Sequence, residues 1–107
     1  MIMAYYLVQA KSVQELLPEL RQKLDNGDIQ FMHPFGQALQ YSLENARIQE
    51  DGRAIWEEED YCSPPLAQER AAVLDRHFEE LNAERVEKNT GWKQIASLPG
   101  LWDPQRK

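Results

Sequence analysis

The chain has 107 residues, room for one domain around one modest core and no separate catalytic domain. Apolar residues make up 42% and charged residues 28%, a globular rather than a disordered composition. With 12 Lys and Arg against 18 Asp and Glu the formal charge is −6, which repels a phosphate backbone and sets nucleic acid aside as a partner.

The apolar start, Met1 to Val8, lacks a basic flank and is too short for a signal peptide or a membrane span, so no membrane association is expected. A single cysteine, Cys62, cannot form an intrachain disulfide and fits a reducing compartment. The expected location is therefore the cytoplasm. One globular domain is expected over residues 1–103, with a frayed basic tail over 104–107.

Residues 4–10 are rich in aromatic and β-branched side chains, with Tyr5 and Leu7 on one face and Tyr6 and Val8 on the other. This pattern predicts a strand central in its sheet. Ser12-Val13-Gln14-Glu15 has capping-box spacing, and Val13, Leu16, Leu17, Leu20 and Leu24 repeat at helical spacing, so a helix is predicted over about 12–26. Asn26-Gly27 supplies its stop. Pro18 removes an interior hydrogen bond from such a helix and calls for a kink or a start nearer Leu17. Residues 29–32 are a candidate short strand.

Residues 34–48 decide the fold. Phe35, Ala38, Leu39, Ser42, Leu43 and Ala46 make a helical face, and Pro34 suits a first helical position. Leu39, Tyr41 and Leu43 also alternate with polar residues as a strand would, and Asp51-Gly52 is a hairpin signal that would pair Glu50 with Arg53 and Ile48 with Ile55. The preferred reading is a helix over 34–48.

A strand follows over about 54–61, and its Glu57 to Asp60 run has the poor β propensity of an exposed edge. Ser63 is an N-cap candidate, with Pro64 at the first position of a long helix over 64–88 whose stripe is Leu66, Val73, Leu74, Phe78 and Leu81. Residues 92–98 are a candidate last strand. The predicted fold class is α+β: helices 12–26, 34–48 and 64–88 on a short sheet that includes strands 4–10 and 54–61. A 39–49/53–61 hairpin would make it a ferredoxin-like βαββαβ arrangement instead.

The stretch Trp56-Glu57-Glu58-Glu59-Asp60-Tyr61-Cys62-Ser63 gathers charge, a thiol and a helix start. Cys62 ahead of a helix would gain thiolate character from the helix dipole, but the four preceding acids oppose it, so packing is the expected role. Consecutive acids on a strand face opposite sides, so at most two converge, and no spacing for a metal loop exists. No metal and no cofactor are expected. His77 flanks the apolar stripe as a packing residue, while His33, beside Pro34, could meet Tyr61 and Cys62 as a general acid/base group.

The function expected from these residues is a non-enzymatic protein-interaction or regulatory module. It would present Glu57, Glu58, Glu59 and Asp60 as an acidic docking edge and Trp102 as an exposed apolar anchor, with a protein partner or a second copy in a homodimer; a tail folded back so that Trp102 caps the core is the other reading of that residue. The competing expectation is a small-ligand-binding protein or minor enzyme whose pocket, at a dimer interface, gathers His33, Tyr61 and Cys62.

Overall fold

The structure, a computed structural model, describes residues 3–61 and 63–103. In chain order it runs β1 (Ala4–Ser12), α1 (Leu17–Asn26), α2 (Gly36–Glu44), β2 (Arg47–Ile48), β3 (Ala54–Asp60), α3 (residues 67–77), β4 (Phe78–Val86) and α4 (Thr90–Gln94). This is the predicted α+β class, with helices packed against a four-stranded sheet of order β2-β3-β1-β4 in which all neighbours are antiparallel. Each of the two long crossovers therefore joins strands that have another strand between them. That is the split βαβ order raised as the alternative, carried here by a two-residue β2.

β1 is central as its two apolar faces require. Val8 lies opposite Trp56 and Ala10 opposite Ala54, all buried, and Leu20, Leu39, Leu74 and Phe78 join them in the core. Ser12 ends β1 rather than capping a helix, because the Ser12–Phe78 pairing extends the ladder through it. The chain makes a short 3-10 turn at Gln14–Leu16, and α1 then starts at Leu17 with Pro18 in its first turn, where no partner is lost. Gly27, at φ 84°, ends α1 and donates its amide to the last turn, as Asn26-Gly27 predicts.

Residues 29–32 form turns, not a strand, with Ile29 buried under the next helix. α2 starts at Gly36, two residues later than expected. A Cβ there would stand 2.4 Å from the Ile29 carbonyl oxygen and 2.8 Å from that of Gln30, so the helix enters against this turn only through glycine. It stops at Glu44, and the hairpin follows, so helix and hairpin each claim part of residues 34–48. The hairpin register is one residue from that expected: Ile48 faces Ala54 and Arg47 faces Ile55. Asp51 Oδ1 takes the Arg53 amide at 3.0 Å, and only Gly52 has a positive φ, which opens the turn beyond two residues.

The helix predicted over 64–88 is the largest correction. It begins at Ala67, after Leu66 at φ 64°, passes through a wide turn at Arg70–Leu74 where the Asp75 amide reaches back to Arg70, and ends at His77. Phe78–Val86 is a strand. These residues have helix-forming composition, but the second side of β1 offers a nine-residue ladder, and tertiary pairing overrides the local preference. The ladder breaks once, between Gln9 and Lys11, where β4 carries an extra residue beside Glu80 at φ 54°. Residues 92–98, expected to be a strand, begin inside α4 and continue as turns.

β3 is not an exposed edge. β1 pairs with one side of it along its length, β2 covers the start of the other, and α2 lies along the remainder, where Ser42 Oγ donates to the Glu57 carbonyl at 2.7 Å.

Candidate functional site

Strand alternation sends the acids of β3 to both faces, and the structure buries three of them. Glu57, Glu58 and Asp60 are 3%, 0% and 2% exposed, so the expected acidic docking edge is not a surface; only Glu59 is half-exposed. Each buried acid holds a part of the fold. The Glu57 carboxylate accepts the backbone amides of Asn89 at 2.9 Å, Gly91 at 2.9 Å and Trp92 at 3.2 Å, satisfying the free N–H groups at the start of α4. Asp60 Oδ2 accepts the Leu66 amide at 2.5 Å and anchors the entry to α3. Glu58 Oε1 accepts the Trp56 indole N–H at 2.9 Å, while its Oε2 is buried without a hydrogen-bond partner among the described residues. Loss of solvent pushes the Glu58 carboxyl well above the usual carboxylate range; the Trp56 hydrogen bond opposes this, and the nearby charges of Glu69, Asp60 and Glu59 add to it.

Trp102, expected as an exposed anchor, is half-buried against the core. Its indole N–H donates to the Leu43 carbonyl at 2.7 Å, and the Arg21 guanidinium lies 5.0 Å from its ring centre. His33 is exposed on the turn before α2, and Tyr61 is half-exposed at the rim of a depression that it shares with Asp60 and Glu69. Cys62, the third member of the expected trio, lies outside the described residues. His77 is fully buried; its Nδ1 faces the Val73 carbonyl at 2.9 Å and its Nε2 faces Glu19 at 2.9 Å. Among the described residues no group of three His, Cys, Asp or Glu side chains is placed to hold a metal ion.

The feature with the makings of a binding site is a cleft of about 290 Å³ between α2, the open face of the sheet and the loop into α4. β1 contributes Tyr5, whose cross-strand neighbour on β3 is Glu59, and the two residues stand side by side on this face. α2 contributes Ala38 and Tyr41, three residues apart on one helical face. The loop contributes Lys88 and Trp92, and its position is set by the Glu57 clamp beneath it.

Tyr41 is 61% exposed, with its ring edge-on to Trp92 at 6.0 Å between centroids and 89° between planes. The Lys88 ammonium stands 6.0 Å from the centre of the Tyr5 ring, and Tyr5 in turn donates its hydroxyl to Met3 Sδ at 3.1 Å. Three aromatic residues, the Glu59 carboxylate, which has no ion pair among the described residues, and Lys88 thus line one small space. Sequence reasoning passed over this constellation because its parts come from chain positions far apart. The only local signal was Ala38 and Tyr41 sharing a helical face.

No protein-family model matches the chain, and no curated protein or solved structure is similar enough to count as a match. No helix among the described residues is long and apolar enough to cross a membrane.

Proposed function

We propose that the domain is a non-enzymatic binding module and that its partner is received in the cleft between α2 and the loop into α4. The observation that carries this reading is Tyr41, a large aromatic side chain left mostly in solvent yet held edge-on to Trp92. Exposed aromatics in preorganised surroundings are the usual anchors of recognition, since they offer contact area at little conformational cost. The loop opposite is preorganised by three amide hydrogen bonds to one buried carboxylate.

Binding without chemistry is favoured because three of the four acids of β3 are committed to the fold, Glu57 to α4, Asp60 to Leu66 and Glu58 to Trp56, which leaves Glu59 as a single carboxylate to meet a partner. The test is a fragment screen read by amide and indole chemical shifts. Hits are expected to move the Trp92 indole and the Asn89 and Tyr41 amides together, and to lose that effect in Tyr41→Ala. Hits that gather elsewhere, or an unchanged response in Tyr41→Ala, would remove the cleft from consideration.

A further inference from the structure

Resting on the cleft reading above, we infer that the group received there is a small alkylammonium, a methylated ammonium centre such as choline or trimethyllysine carries. Tyr5, Tyr41 and Trp92 all line one space of about 290 Å³, and Tyr41 and Trp92 meet edge to face at 89°, which holds the exposed Tyr41 ring in place for a cation.

Glu59 adds a carboxylate directly beside Tyr5, in a chain whose formal charge is already −6. The second carboxylate of the cleft, Glu57, is satisfied by three amides and stays out of the competition for a ligand. A lysine that lines the cleft already pairs with one of its aromatic residues. Lys88 Nζ lies 6.0 Å from the Tyr5 ring centre and makes no ion pair among the described residues, so the lysine is an exposed cation resting on an aromatic wall. Lys88 stands in for the ligand and has to move aside when one arrives.

The experiment titrates the protein with tetramethylammonium, choline and trimethyllysine, against sodium chloride at equal ionic strength, and follows the Trp92 indole and the Asn89 and Tyr41 amides by NMR. Saturable shifts at these positions are expected. Lys88→Gln, which removes the resident cation, should tighten binding about two- to fivefold, and Tyr41→Leu should weaken it by a similar or larger factor, as exposed cation–π contacts imply.

The neutral isostere of choline, 3,3-dimethylbutan-1-ol, separates the two claims. Equal binding of the neutral compound at the same resonances would overturn the cation class and leave the cleft standing. Shifts from no probe at all would overturn both. Sodium acetate shifts that vanish in Lys88→Gln would assign the cleft to anions and overturn the inference directly. Choline binding without trimethyllysine binding, or the reverse, would identify the source of the ammonium.

Discussion

Glu57 holds Gly91 by a 2.9 Å hydrogen bond from the glycine amide to its Oε1, and the same oxygen would lie 2.9 Å from any Cβ added at residue 91. The carboxylate and the missing side chain are therefore two halves of one contact. Gly91→Ala must displace the carboxylate and also presses on Leu7, whose Cδ1 would stand 3.2 Å from the new methyl. A cost of about 1–3 kcal/mol is expected from overpacking of this kind. Glu57→Gln turns an N–H toward at least one of the amides it now accepts and should cost about 2 kcal/mol, the scale of a hydrogen bond to a charged group. Urea unfolding followed by Trp fluorescence checks both. An unchanged midpoint in either variant would show that α4 is not held this way.

Glu58 makes a pH prediction of definite sign. Its folded-state pKa is raised by burial above the ordinary 4.5, so the folded chain binds the proton more tightly than the unfolded chain does. The associated stability is fully present below pH 4.5 and is lost as pH rises through the folded value. Glu58→Gln keeps an acceptor for the Trp56 indole and cannot ionise, so it should be more stable than the parent at neutral pH and should lack this slope. Parallel pH slopes for the two proteins would refute the assignment.

Glu19 acts in the opposite direction. It joins α1 to the end of α3 by accepting hydrogen bonds from Arg76, including Nη2 to Oε1 at 2.8 Å, and by facing His77 Nε2 at 2.9 Å, with Lys23 Nζ at 3.4 Å. The Arg76 hydrogen bonds, then that of His77, hold its carboxyl far below the usual range. Stability from this group is present above the ordinary carboxylate pKa and is lost as pH falls through the folded value. Thermal melts of Glu19→Gln should show a lower Tm at neutral pH and a shallower decline on acidification. Identical acid limbs would sink the prediction.

Trp102→Ala separates an anchor for partners from a brace for the core. The indole covers the core beside Leu43 and Arg21, so its removal should cost about 2 kcal/mol, less than the ~3–5 of a fully buried tryptophan because part of the ring is exposed. The check is a denaturant titration. A variant as stable as the parent would return Trp102 to the role first expected for it.

The strands β1 and β3 were legible because Tyr5 to Val8 and Ala54 to Trp56 combine β-forming side chains with apolar character. The α2 helix was legible from Ala38, Leu39, Ser42 and Leu43, which share one face at helical spacing. β4 was not. Glu79 to Arg85 favours a helix when read alone, and only the open ladder of β1 makes it a strand. The fate of the acids was hidden for a similar reason. A carboxylate on a strand reads as solvated unless its partners are known, and the amides that hold Glu57 lie 32 to 35 residues further along the chain. The cleft joins residue 5 to residues 41 and 92, a distance in sequence that periodicity and motif spacing do not span.

The placement of α2 along β3 bears on how the protein behaves at high concentration. The outer side of β2 is taken by the Arg47–Gly100 bridge and by the Ile48 amide bonded to the Pro99 carbonyl, and α2 lies along β3 beyond it, so an incoming chain can add only beside β4. There it meets the irregular ladder at Glu80 and the exposed charges of Glu79, Glu84 and Arg85. Fibrous stacking of folded copies is disfavoured on both sides, by the Arg47–Gly100 pairing and the Ser42 hydroxyl on one and by charge and a kink on the other.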